Sequence, residues 1–328
     1  MHIVITGGSG FLGLRLAKAL LRDGVNGEPV TTLALVDRAH RADLADPRLR
    51  LLAGDIADPG FVSEFLSNPV DILYHLAAVV SSEAESDFDL GMKVNIDASR
   101  QLLDACRKLA KVPRVIFTSS VAVFGPLADG ESLTDASSVD PRSSYGMEKA
   151  VGELLIKDYS RRGFVDGVVL RLPTISVRPG VPNRAASSFA SSIIREPLSG
   201  QSAICPVDPG TLLWLMSPRA AIRALQKAGA LPSSAFTKSR VINLPGITVS
   251  VGDMLEALTA IGGPASRALV KIEIDAGVEA IISSWPRGWE DQVARSIGFE
   301  ADANFGEIVQ AFIDDDLDEQ RARLALST

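Results

Sequence analysis

A chain of 328 residues has room for about two domains of ~150 residues and for a sizeable buried core. Hydrophobic residues make up 46% and charged residues 22%, globular proportions that exclude disorder and fibrous repeats. With 33 Lys and Arg against 40 Asp and Glu, the formal charge of -7 argues against a protein built on nucleic-acid or anionic-membrane contacts. Cys106 and Cys205 are too few for a disulfide framework, and with His2, His40 and His75 they show no metal-ligand spacing. No apolar run approaches the ~20 residues of a membrane span, and no secretion signal opens the chain, so a cytoplasmic protein is expected.

In chain order, the strands expected in the first half are His2–Thr6, Thr32–Val36, Leu49–Ala53, Ile72–Leu76, Val115–Thr118 and Gly167–Leu172. Between them lie helical patterns such as Leu12, Leu16, Leu20 and Val94, Leu102, Leu103. Strands separated by helices predict right-handed crossovers and a doubly wound parallel α/β sheet of the Rossmann type. The run Leu33-Ala34-Leu35-Val36 fits a strand buried on both faces. After Leu172, prolines 173, 179, 182, 197, 206 and 209 predict a smaller, irregular α/β domain or lid. A helix over Pro218–Ala228 and a strand over Val241–Leu244 return to the main sheet, and the end is helical, with a last helix around Phe305–Leu317. The run Asp314-Asp315-Asp316 reads as a solvated helix end, not a metal site.

Directly after the first strand stands T-G-G-S-G-F-L-G, Thr6 to Gly13, followed by a helix. Its glycines read as Gly7, Gly10, Gly13 or as Gly8, Gly10, Gly13. Either way the turn is tight, and the backbone around Phe11 and Leu12 offers N–H groups and a positive helix end to a pyrophosphate. Asp37 ends the second strand 24 residues after Gly13. A carboxylate there accepts hydrogen bonds from the adenosine ribose of NAD and repels the 2′-phosphate of NADP, while Arg38 is the competing signal. Asp55 and Ile56, ending the third strand, are expected beside adenine; Leu76, Ala77 and Ala78, ending the fourth, leave room for a dinucleotide.

Tyr145 and Lys149 form Y-x-x-x-K on a helical segment, so phenol and ammonium share a face and can meet one cofactor ribose. Ser120, in T-S-S-V-A-V-F-G, adds a hydroxyl at the carboxyl edge of the sheet, where ligands of open α/β folds bind. With these motifs in this order, the chain resembles the extended short-chain dehydrogenase/reductase (NAD-dependent epimerase/dehydratase) superfamily over nearly its whole length. The resemblance implies that Tyr145 is the acid/base, Lys149 its activator and ribose ligand, and Ser120 the ligand of the substrate hydroxyl. Ser119 is expected to assist, and Asn95 to join the cofactor site through water. Phe124 departs from the Tyr usual in nucleotide-sugar enzymes, which weakens the case for a sugar-nucleotide substrate.

The stretch Leu170–Ser191 bears on the substrate. Pro173, Thr174 and Ile175 are expected to line the nicotinamide, with Thr174 also toward the substrate. Arg178 offers a fork for a carboxylate or phosphate, and Asn183, Ser187 and Ser188 suit hydroxyls. Ser81 and Ser82 are expected in the same cleft. This stretch, with His75–Ser81, Asp87–Asn95, Tyr145–Leu155 and Leu213–Arg219, resembles the D-erythronate dehydrogenase family. That resemblance implies NAD-dependent oxidation of a small sugar acid at carbon 2. A nucleoside-diphosphate-sugar epimerase using the same three residues, and a non-catalytic NAD sensor, are the alternatives. The expected domains are a Rossmann domain of residues 1–175 and 212–246 and a substrate domain of 176–211 and 247–328. A homodimer is expected through helices near Asn95–Leu109 and Tyr145–Ser160.

Overall fold

The computed structural model describes residues 1–39, 44–127, 133–181 and 186–325. Strand β1 (His2–Thr6) enters the glycine turn and helix α1 (Phe11–Asp23), followed by β2 (Thr32–Asp37), β3 (Leu49–Ala53), α2 (Pro59–Phe65) and β4 (Ile72–His75). Helices α3 (Ser81–Ser86) and α4 (Phe88–Gly91) run through a π-helical stretch, Met92–Asp97, into α5 (Ala98–Cys106). Then come β5 (Arg114–Ser120), α6 (Ser144–Arg161) and β6 (Asp166–Leu172). The second half holds β7 (Thr174–Ile175), α7 (Phe189–Leu198), β8 (Ala203–Cys205), β9 (Leu212–Met216), α8 (Pro218–Ala230), β10 (Val241–Asn243) and β11 (Ile247–Ser250). It ends with α9 (Val251–Ala268, kinked at Gly263), β12 (Val270–Ile272), α10 (Ala276–Ser283), α11 (Gln292–Ser296), α12 (Phe305–Asp315) and α13 (Leu317–Ala325).

Seven strands pair in parallel in the order β10-β6-β5-β4-β1-β2-β3, the doubly wound sheet expected from the alternation of strands and helices. Covered on both faces, β1 and β2 carry almost only buried apolar residues, whereas the edge strand β3 has none that is buried. One face packs α1 and α8 through Leu16, Leu20, Ala221 and Leu225; the other packs α2, α5 and α6 through Val62, Leu102 and Ile156. Local signals start the helices. Asp58 caps α2 ahead of Pro59, Ser143 caps α6 at the Gly146 N–H, and Ser217 caps α8 ahead of Pro218.

Some boundaries differ from the expected ones. β4 stops at His75, one residue before Leu76, and β5 runs two residues past Thr118 because Ser119 and Ser120 still pair with Arg171 and Leu172 of β6. The proline-rich segment contains a regular ten-residue helix, α7, since Pro197 falls in its last turn. The small sheet β11-β9-β7 draws strands from both expected domains, and its partner layer is the two-stranded β12-β8. Val177, Ile193, Leu215, Leu258 and Phe312 form the core around these strands. The acidic run is not simply solvated. Asp316 breaks the expected last helix into α12 and α13 and pairs with Arg15 of α1, while Asp314 and Asp315 pair with Arg219 of α8. No helix among the described residues is long and apolar enough to cross a membrane.

Candidate active site

The carboxyl ends of β1, β4, β5 and β6 open into a cleft of about 370 Å³, between the parallel sheet and the segments that follow β6. Gly7, Gly10, Phe11, Leu12 and Gly13 line one side, Leu76, Ala78 and Ser81 the middle, and Ser119, Ser120, Tyr145, Lys149, Pro173, Thr174, Ile175, Arg178 and Ser187 the other. Most of the residues expected at the site therefore meet in one place.

The glycine turn is shaped by close approach. Gly7 has a φ of +70°, and a Cβ there would stand 2.8 Å from the backbone nitrogen of Ala77. A Cβ on Gly13 would stand 2.3 Å from the Gly7 carbonyl oxygen. Gly10, the residue before α1, has no side chain to cap the helix. The N–H groups of Phe11, Leu12 and Gly13 therefore open the helix without an intrahelical partner and with its positive end behind them, donors suited to a pyrophosphate. Asp37 is held at the end of β2 by the Ser9 N–H at 3.0 Å and the Arg38 N–H at 2.8 Å, which aims its carboxylate at the glycine turn. Asp55 lies one strand further out, lowered below the usual carboxylate range by the Ala57 N–H and, against its partial burial, by Lys93. The neighbouring Ile56 is buried. Ala77 lies against Gly7 and does not face the cleft. This donor set fits a dinucleotide.

Tyr145 and Lys149 project from the first turns of α6. The Lys149 ammonium donates to the Thr118 carbonyl oxygen at 3.0 Å and lies 5.6 Å from the Tyr145 ring centre. Burial pushes the ammonium down to about 8, against the pull of Glu148 and Glu153. The phenol is hydrogen-bonded to the Ser120 hydroxyl, which also accepts the Ala122 N–H at 3.2 Å. Burial, then the charge of Glu148, pushes Tyr145 up to about 12, while Ser120 and Arg178 act in the opposite direction. Burial and Glu148 thus set the protein's own field against the phenolate.

Two expected residues are occupied elsewhere. Ser119, which lines the cleft, donates its hydroxyl at 2.6 Å to Glu153, itself locked to Arg171 in a buried ion pair. Asn95 is buried one layer behind. Its side-chain oxygen accepts the Val79 N–H at 2.9 Å and its side-chain amide donates to the Val79 oxygen and to Glu148. His75 is a buried, neutral bridge between Thr6 and Ser99, its imidazole pushed down to about 3 by burial.

On the substrate side, Arg178 stands near Ser187, Ser81, Tyr145 and Trp285. Its Nη2 is buried without a hydrogen-bond partner among the described residues, while its backbone N–H is fixed by Ser191 at 3.0 Å and its carbonyl oxygen by Arg195 at 2.6 Å. Burial first, then Arg195, depress the guanidinium from its ordinary value. Asn183, and Arg184 as a second cation, lie outside the described residues. Ser82 lines a second cavity of about 440 Å³ with Phe124, Ile281 and Trp285, adjoining the cleft at Ser81, Ala122 and Trp285. Sequence reasoning missed Trp285, Glu148, Glu153 and Arg171. Glu148 stood within the Tyr145–Lys149 motif, but nothing in the spacing marks Trp285.

A family model described as the NAD dependent epimerase/dehydratase family matches residues 3–213. A D-erythronate dehydrogenase of Cupriavidus necator is 52% identical over 320 residues, covering 96% of this chain and 98% of that protein. One of Haemophilus influenzae is 45% identical, covering 97% and 100%. The crystal structure of a nucleoside-diphosphate-sugar epimerase from Agrobacterium tumefaciens superposes with a TM-score of 0.91 at 40% identity, over 97% of this chain and 95% of that one.

Proposed function

The chain belongs to the NAD dependent epimerase/dehydratase family, and from that premise we propose that it oxidises a small sugar acid, D-erythronate first, to the 2-oxo acid. The observation that carries the substrate class is Arg178, a half-buried guanidinium whose buried Nη2 has no partner among the described residues, in a cleft that also presents the hydroxyls of Ser81, Ser120 and Ser187. A buried cation without a counter-charge is costly, and a substrate carboxylate relieves that cost with a charge-assisted, fork-shaped contact.

The glycine turn, Asp37 and Lys149 would hold NAD, which when bound would supply the hydride acceptor and a positive charge. Ser120 holds the 2-hydroxyl through hydrogen bonding, and Tyr145 as phenolate takes its proton. Forming that phenolate requires a net positive field, to which Arg178 and the nearby Lys149 ammonium contribute. Ser81 and Ser187 suit the remaining hydroxyls, and Pro173, Thr174 and Ile175 close the cleft over the reacting carbon. The substrate domain of residues 176–211 and 247–328 supplies Arg178, Ser187 and Trp285. A homodimer through α5 and α6 is part of this reading, supported by the exposed Leu154 on the outer face of α6. So is a cytoplasmic location, with which the unpaired Cys106 and Cys205 agree.

The test is NADH formation from a panel of four- to six-carbon sugar acids. D-Erythronate is expected to be the best substrate, and Arg178→Ala to lower kcat/KM by ~30-fold or more, because an unpaired charged contact is worth ~2–5 kcal/mol. Arg178→Lys should be impaired as well, since an ammonium lacks the planar fork. The second reading, a nucleotide-sugar epimerase, is favoured by the 440 Å³ cavity beside the cleft. It would take over if nucleotide sugars are interconverted without net NADH while every sugar acid is inert.

A further inference from the structure

We propose that Glu148 is a positioning residue of this site: its buried carboxylate fixes the segment leaving β4 against the catalytic helix and places a negative charge beside Tyr145 and Lys149. Glu148 is fully buried on α6, three residues after Tyr145 and one before Lys149. One carboxylate oxygen accepts the Asn95 amide at 2.6 Å, and Asn95 clamps the Val79 backbone through both its N–H and its carbonyl. Val79 lies between Ala78 and Val80, both of which line the cleft. The chain from carboxylate to Asn95 to Val79 thus ties the cleft wall to the helix that bears the reactive phenol.

The surrounding backbone leaves space for this carboxylate. Asn95 sits in the π-helical stretch Met92–Asp97, a local widening of the helix of the kind found at functional sites. Gly91, just before it, faces Glu148 so closely that a Cβ there would stand 2.3 Å from Oε1. That second oxygen is buried and has no hydrogen-bond partner. A structural role alone is met by the Asn95 bond. The unpaired oxygen instead leaves the negative charge poorly neutralised beside the two groups that must change protonation or hold the cofactor.

The charged and titratable groups facing Glu148 are Tyr145 and Lys149 on its own helix and Glu85 from α3. Arg178 faces Tyr145 from the segment after β7; Glu153 and the neutral His75 face Lys149. Against this background Glu148 opposes the loss of a proton from both Tyr145 and Lys149. Removing its charge must therefore shift both titrations toward lower pH, a direction that does not depend on which of them limits the rate.

Glu148→Gln keeps an oxygen for Asn95 and removes the charge, while Glu148→Asp keeps the charge and withdraws it from Asn95. NAD affinity, measured by calorimetry from pH 6 to 10 without substrate, should fall as Lys149 loses its proton. In Glu148→Gln the midpoint should lie about one pH unit below that of the wild-type protein, the size of one unit charge acting across a few ångströms of protein. The rising limb of kcat/KM against pH should move the same way. In Glu148→Asp both midpoints should stay within a few tenths of a unit of wild type while kcat falls. Superimposable profiles for Glu148→Gln and wild type, or a shift of the same size in Glu148→Asp, would overturn the proposal. If Glu148→Gln does not fold, the Asp variant still decides, since an acidic shift there contradicts it. The catalytic measurement rests on the sugar-acid reading and the binding measurement does not, so an inactive wild type would defeat that reading and leave this one testable.

Discussion

Tyr145 shows how far chemistry can be read from residue spacing and where that stops. A phenol and an ammonium four residues apart on a helix must share a face, so their meeting with Ser120 was legible. The sign of the field on the phenol was not, because it is set by burial and by Glu148, a residue whose position inside the fold no spacing reveals. The partners of Ser119 and Asn95 were illegible for the same reason: the side chain of each is hydrogen-bonded to a buried carboxylate, Glu153 or Glu148, that no spacing marks. A polar group that is buried must be hydrogen-bonded, and the nearest buried carboxylate takes it. If Tyr145 carries the proton, Tyr145→Phe should lower kcat by ~10²–10⁴-fold, the usual contribution of a general base, with little change in the NAD dissociation constant. Stopped assays at saturating substrate together with a calorimetric NAD titration measure the two quantities. A variant retaining more than about a tenth of wild-type turnover would remove Tyr145 from that role.

Among the elements, the parallel sheet was the most legible part, because strands buried on both faces are written as short apolar runs between helical patterns. Its edges were less so, since β4 and β5 end where neighbouring strands stop offering partners, a property of the pairing and not of the segment itself. The π-helical stretch Met92–Asp97 and the break between α12 and α13 carry no sequence signal of the kind that Pro or Gly supplies. The junction of β1 and α1 is the opposite case: the reading through Gly7, Gly10 and Gly13 has a steric reason at Gly7 and Gly13, and Gly8 is also constrained, by Leu35 and the Ile5 carbonyl. Gly13→Ala should push the first turn of α1 away from the Gly7 carbonyl and misalign the N–H groups of Phe11 and Leu12. A rise of tenfold or more in the NAD dissociation constant is expected, with Gly27→Ala, whose φ of +79° strains an alanine at a turn outside the cleft, as the control for strain alone. Equal NAD affinity in Gly13→Ala and wild type would mean that this turn does not bear on the dinucleotide.

For the whole molecule, the question is what keeps the substrate side in register with the cofactor side, and the acidic run at the end of α12 gives a physical answer. Asp316 pairs with Arg15 on α1, the helix that opens at the glycine turn, and Asp315 reaches both Arg15 and Arg219. Four residues further on, Gln320 accepts the Gly180 N–H at 2.7 Å and donates to the Gly180 carbonyl at 2.9 Å, two residues beyond Arg178. The carboxyl-terminal helices therefore connect the cofactor helix to the loop bearing the anion-binding guanidinium. The two ion pairs are unequal. Arg219 and Asp314 are each more than 40% exposed, so that pair is screened by water and worth little, whereas Asp316 is only 7% exposed. Burial raises the Asp316 carboxyl and Arg15 counteracts it, which makes the carboxylate dependent on its partner. Arg219→Ala should accordingly change stability by less than about 1 kcal/mol. Asp316→Ala, which leaves Arg15 with only the longer and more exposed contact to Asp315 at 3.5 Å, should cost about 1–3 kcal/mol and lower the melting temperature by several degrees. The same substitution should raise KM for the sugar acid more than it raises the NAD dissociation constant, because Gln320 and the Gly180 backbone lose their anchor while the glycine turn keeps its own. Thermal melts and paired binding and kinetic titrations on the two variants check this, and equal effects on both ligands would confine the ion pair to a purely stabilising role.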